Sequence, residues 1–295
     1  MDELEVISWG ERLSLFRFAL LAALLAGAVC PLLGVFLHVR RTSFYGIALP
    51  QFATAGVVFG FVILPWWLEN IGLGALDFAG AMHDSHAAMN YHLAWSNVFT
   101  FGGLLALLAL GRRGGSEVGR VAASFAIAAA ATLLFGRMSP VGKGFVDELL
   151  SGELLGVGVH ECETLAVVFG LAAGALLLFQ RDLLLVSYDR ESALVLGKRV
   201  FALEAVLTVV TGLVISVGTM VLGPIVLFGL IVLPAIGARA WARSMRSYLR
   251  LASAFGVGAV LLGVAASFEF DLPLGAAITG AAALLLAPGG LLRRG

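Results

Sequence analysis

The chain has 295 residues, 60% of them hydrophobic and 13% charged, and its 19 basic and 19 acidic side chains cancel. A mean hydropathy of +0.99 excludes a soluble domain, and the charge balance leaves no net charge for nucleic acid or an anionic surface to exploit. Two cysteines, Cys30 and Cys162, exclude a disulfide framework or a zinc-ribbon spacing.

Asp2, Glu3, Glu5 and Glu11 precede the first apolar run. That is the wrong charge for a signal-peptide leader, and the run is too long, so it is expected to be a retained span. Nine apolar segments follow the chain, at about 15–37, 47–68, 95–110, 121–135, 165–179, 201–217, 221–238, 251–268 and 274–287. Several fall short of the roughly 20 residues that a lone membrane helix needs and must borrow flanking residues or be shielded by neighbours. The expected architecture is all-α: one polytopic bundle over residues 1–295. Glycines inside the segments, such as Gly27, Gly34, Gly56 and Gly256, suit close helix packing.

Basic residues orient the bundle. Arg40 and Arg41, Arg112 to Arg120, Arg181 to Arg199, Arg239 to Arg250, and Arg293 and Arg294 place fifteen of the 19 on one side if the N-terminus lies outside and the C-terminus in the cytoplasm. The second segment opens with VRRTSFYGIALPQFATAG, where Ile47 and Gln51 stand four apart on one helix face, with Thr54 beyond and Pro50 restricting the helix.

Residues 69–94 form a loop outside in this topology. It carries His83, His86 and His92, either a metal-catching loop at a pore mouth or a polar loop with incidental histidines. Residues 145–163 could form a re-entrant or interfacial helix. Within residues 146–164, His160, Cys162 and Glu163 are conceivable ligands, an amphipathic surface turn being the alternative. His160-Glu161 is not HExxH, since residue 164 is threonine.

Residues 180–200, QRDLLLVSYDRESALVLGKRV, are a charged island that cannot sit cheaply in hydrocarbon. Inside it Asp189 can cap a short helix, residues 190–196 form its body and Gly197 ends it. Ala193, Leu194 and Leu196 give this helix an apolar side outside the bilayer, which suits a docking device as well as an ordinary solvated loop. Glu204 reads as an interfacial residue. Gly223-Pro224 predicts either a discontinuous helix or a tight hairpin, and Glu269 with Asp271 either a partner contact or a polar helix end. No GxxxxGK[ST] occurs, so the chain does not hold ATP by that route.

The island resembles the cytoplasmic coupling segment of ABC-importer permeases for zinc, manganese and iron, whose LLLVSxDxExAxxLG stands here at residues 183–197. The second segment resembles the family's RRxxxxGDxLxHxxxxG through Arg40, Arg41, Gly46, Leu49 and Gly56, but the aspartate is Ile47 and the histidine Gln51. Residues 146–164 resemble the family's LFGxILxVSxxDL, residues 223–239 its VGxLLxxALLxxPAxxAR, and residues 271–278 its LDLPxGxxI. The 223–239 run also resembles the siderophore and vitamin-B12 permeases.

The resemblance implies a type II ABC-importer permease in a bacterial-type cytoplasmic membrane. It implies a homodimer or a paired heterodimer, an ATPase subunit that carries the ATP, and an extracytoplasmic substrate-binding protein. No cofactor and no nucleic acid is expected on this chain. Ile47, Gln51 and Thr54 would line the pore, and Asp189, Glu191, Ala193, Leu194 and Gly197 would couple to the ATPase. The alternatives are a permease of this fold for a metal chelate or other small solute, and an ion-coupled secondary carrier. The scarcity of ionisable groups deep in the segments speaks against the carrier.

Overall fold

The computed structural model describes residues 14–70, 85–111, 116–139 and 157–286. They form eleven helices and, among the described residues, no strand. These are α1 (Arg17–Val39), α2 (Tyr45–Asn70), α3 (Ser85–Gly111), α4 (Glu117–Met138), α5 (Val159–Leu178), α6 (Gln180–Tyr188), α7 (Arg190–Val195), α8 (Val200–Leu222), α9 (Pro224–Trp241), α10 (Met245–Phe270) and α11 (Leu274–Leu284). Eight are long and apolar enough to cross a membrane, and α11 is a shorter apolar helix. Residues 1–13 and 287–295 lie outside the described residues, and the sidedness of the termini with them.

Helix α1 is the centre. Of its apolar window 72% is buried, against 22% in α4 and in α5, so α1 faces protein where α4 and α5 face outward. Small residues make this possible: Ala22, Ala23, Ala26 and Gly27 on one stretch, Gly34 on the next. A Cβ at Gly256 would fall inside the carbonyl oxygen of Gly27, so α1 and α10 touch backbone to backbone. Their facing residues run in opposite order, Phe16 by Phe268, Gly27 by Gly256 and His38 by Tyr248, which makes the pair antiparallel. Helices α2 and α3 pair likewise, with Gly60 against His92, Gly56 against Trp95 and Phe52 against Gly103.

Polar side chains tie α3 to α8. Ser216 Oγ donates to Asn97 Oδ1 at 2.8 Å and Ser96 Oγ to the Ser216 carbonyl at 3.3 Å. Such bonds hold apolar helices together where no hydrophobic drive separates protein from lipid.

The structure departs from the sequence reading in several places. Residues 85–94 are helical rather than loop, because the α3 backbone keeps its hydrogen-bonded ladder through His86, Asn90 and His92. The spans are generally longer than the apolar segments for the same reason: hydropathy marks the hydrocarbon zone, whereas caps mark the helix. Ser116 caps α4 by accepting from Gly119 N at 3.3 Å. Helix α2 continues through Pro50, whose carbonyl accepts the Thr54 hydroxyl at 2.9 Å. The island holds two helices, not one, since Leu183 and Val186 bury an apolar stripe of α6 against the bundle.

At Gly223 the backbone takes φ 81°, and Glu204 of α8 and Arg239 of α9 both lie at the end of α1, so the chain reverses there as a hairpin. Asp271, with φ 51°, ends α10 in the left-handed region, and Leu272 N returns to the Ser267 carbonyl at 3.1 Å. Residues 140–156, which include the run through Leu149 to Leu155, lie outside the described residues.

Candidate functional site

The segment from α6 to the start of α8 lies between the spans α5 and α8 and packs against the bundle through Leu183, Val186 and Ala193. Asp189 caps α7 by accepting the Ser192 amide at 3.0 Å and the Ser192 hydroxyl, and these two bonds hold its carboxyl below the usual carboxylate range. At the other end Gly197 takes φ 69°. Lys198 N donates to the Ala193 carbonyl and Gly197 N to that of Leu194, both at 3.0 Å, the paired bonds of a Schellman cap. Six residues would be too few for a stable helix alone, and the two caps supply what length does not.

Ala193 is fully buried and seats α7. Leu194, Val195 and Leu196 are 51%, 88% and 65% exposed, and Glu191 is exposed beside them. The apolar side therefore divides: Ala193 faces the bundle and the larger residues face away. Three large apolar residues thus stand exposed side by side on a charged segment.

Charges fix this platform. Lys198 Nζ lies 2.8 Å from Asp182 Oδ1 and ties the end of α7 back to α6. Glu204 Oε1, on the first turns of α8, accepts from Arg190 Nε at 3.0 Å and Arg40 Nη2 at 3.5 Å. One carboxylate thus joins α7, α8 and the end of α1. The sequence reads Glu204 as an interfacial residue; the signal for its pairing is an acid placed just beyond a run of cations.

Glu204→Gln leaves two guanidiniums facing a neutral amide. With Glu204 only 25% exposed, the loss is expected to be about 1–2 kcal/mol, below the value of a fully buried charged bond. Tryptic cleavage after Arg190 in the purified chain should accelerate by roughly tenfold. An unchanged cleavage rate would mean that the caps, Ala193 and the Lys198–Asp182 pair hold α7 without Glu204.

On α2, Ile47 and Gln51 are partly exposed and share one face, as expected. Thr54 is fully buried and its hydroxyl is committed to Pro50. His92 is a packed histidine: its Nδ1 lies 3.3 Å from the Val57 carbonyl, and its ring lies 4.0 Å from that of Phe61. His83 lies outside the described residues, as does the side chain of His86. His160 Nδ1 sits 3.8 Å from Glu163 Oε2 one turn on, while Cys162 is buried on another side of α5. Among the described residues no three His, Cys, Asp or Glu side chains come together as a metal set.

A sequence model described as the ABC 3 transport family matches residues 12–83 and 88–290. The manganese import system permease protein ScaB of Streptococcus gordonii is 26% identical over 275 residues, which span 90% of this chain and 87% of that protein. The manganese transport system membrane protein MntC of Halalkalibacterium halodurans is 28% identical over 283 residues, 93% of this chain and 86% of that protein. Among solved structures, PsaBC from Streptococcus pneumoniae in complex with Fab superposes with a TM-score of 0.76 at 21% identity, covering 97% of this chain and 94% of that one.

Proposed function

Because the chain belongs to the ABC 3 transport family, we propose that it is the membrane-spanning permease of an ATP-driven importer for divalent metal ions of the zinc, manganese and iron class. It sits in a bacterial-type cytoplasmic membrane, makes and breaks no bond, and moves its cargo by alternating access. Family membership sets the ion-gradient carrier aside. The observation that carries the reading is α7: capped at both ends, placed outside the spans, and presenting Leu194, Val195 and Leu196 to a partner. That partner is a separate ATPase subunit. A substrate-binding protein outside and a second permease chain, identical or paired, complete the assembly.

The reading is tested in proteoliposomes holding this chain, its ATPase and its binding protein. Uptake of manganese or zinc should require ATP on the ATPase side. Uptake that persists without the ATPase, driven by an ion gradient, overturns it.

Ile47 and Gln51 favour a second reading of the cargo. An aspartate–histidine pair at these two positions would offer oxygen and nitrogen ligands, whereas isoleucine offers none and a neutral amide is a weak ligand for a transition metal. Under this reading the cargo passes α2 chelated or hydrated, or a paired permease supplies the ligands. Calorimetry of the purified chain with zinc and manganese is then expected to detect no tight site at this level. A stoichiometric site of about micromolar affinity that survives loss of His83, His86 and His92 but vanishes in Gln51→Ala would falsify it.

A further inference from the structure

The net charge of zero conceals a segregated distribution. A cavity of about 810 Å³ opens at the end of the bundle where α1 and α9 finish and α10 begins. Arg41, Arg239 and Arg243 line it, and none has a carboxylate partner among the described residues. Among the described residues no acid lines the cavity. Its wall includes Ser244 and Met245, the N-terminus of a 26-residue helix whose first amides favour an anion. His38, Tyr188 and Tyr248 line it as well. Tyr248 is 1% exposed and its hydroxyl has no hydrogen-bond partner among the described residues.

We propose that this cavity holds the phosphate of one anionic phospholipid headgroup. Three arginines and a helix N-terminus make a donor set for phosphate oxygens. Charge alone would serve free phosphate equally well. The lipid is favoured by the remaining lining: Val39, Phe44 and Met245 give an apolar side, and Phe44 and Met245 are 46% and 36% exposed. An amphiphile needs both surfaces side by side. Trp241, 47% exposed on the last turn of α9, marks the same level as a membrane interface. The basic side of a membrane protein faces the cytoplasmic leaflet, where anionic lipids give the surface its negative potential.

A carboxylate from a partner subunit fits less well, since one acidic side chain fills little of such a volume. A divalent cation would be repelled by three guanidiniums, so the cavity lies off the cargo path proposed above.

The test uses the full chain in detergent micelles carrying equal phosphatidylglycerol and phosphatidylcholine, read by native mass spectrometry. One phosphatidylglycerol per chain is expected, retained at least tenfold over phosphatidylcholine, which bears the same phosphate without net charge. The double variant Arg239→Gln, Arg243→Gln should weaken retention roughly 30-fold, at about fivefold per arginine. Arg246→Gln with Arg250→Gln, on the same basic corner but outside the cavity, should change nothing. Monodisperse elution of each variant is the folding control.

Equal retention of the two lipids overturns the proposal, as does equal loss in both arginine pairs. Displacement by millimolar inorganic phosphate assigns the site to free phosphate instead. Release of the lipid when the ATPase subunit assembles assigns the cavity to that partner.

Discussion

Leu194→Asp is expected to abolish transport-coupled ATP hydrolysis while leaving the membrane fold intact. Leu194 is half exposed on α7, and α7 is held by its own caps, by Ala193 and by Glu204 rather than by Leu194. The substitution therefore costs the isolated chain little. In the assembly it removes an apolar anchor worth about 2 kcal/mol. It also drives an unpaired carboxylate into the contact, at a further cost of roughly 2 kcal/mol or more. Together these weaken docking by about a thousandfold. The measurement is ATPase activity of the reconstituted complex with and without binding protein, beside co-elution of the ATPase subunit. Hydrolysis and uptake that survive in the variant sink the docking assignment.

Gly34→Ala is expected to have the largest effect on the fold itself. A Cβ there would lie well inside the van der Waals contact of the Ile231 carbonyl oxygen and press on Ala235, so α1 and α9 must separate. A backbone carbonyl in mid-helix cannot swing aside as a side-chain tip can. The cost is expected at or above the usual 1–3 kcal/mol of overpacking, at a contact central to the bundle. Thermal unfolding in detergent should shift down by several degrees, with loss of monodisperse yield. Gly170→Ala is the control, because a Cβ there meets nothing within 4 Å. Equal behaviour of the two variants would remove the close α1–α9 approach from the account.

Why Gly34 differs from Gly170 was not legible in the sequence, where both are simply glycines in apolar runs. Hydropathy reports which stretches avoid water, and it located all the long helices. It does not say which face meets protein and which meets lipid, because the two environments are equally apolar. The α7 caps were legible, since Asp189 and Gly197 act within one turn of chain. The division of its apolar side was not: Ala193 turns inward because the bundle lies there, and that is a long-range fact. Helix α6 was missed because its charges, Arg181 and Asp182, masked Leu183 and Val186, which supply the buried stripe. At α2 the shared face of Ile47 and Gln51 followed from spacing, but the enclosure of Thr54 depended on neighbours that spacing does not reveal.

The single carboxylate of Glu204 gives the molecule a linkage with little backlash. Helices α6 and α7 leave α5 through one non-helical residue, Phe179, and rejoin α8 at Val200. A push on α7 is therefore delivered to two spans at once. Through Arg40 it reaches the end of α1 as well, 3.5 Å from the same oxygen that holds Arg190. Helix α1 in turn bears on α9 and α10 through glycines that leave no compliant side chains between the backbones. Under the coupling proposed above, a stroke applied to six residues at one end would reach the central helix through one shared carboxylate and close backbone contacts.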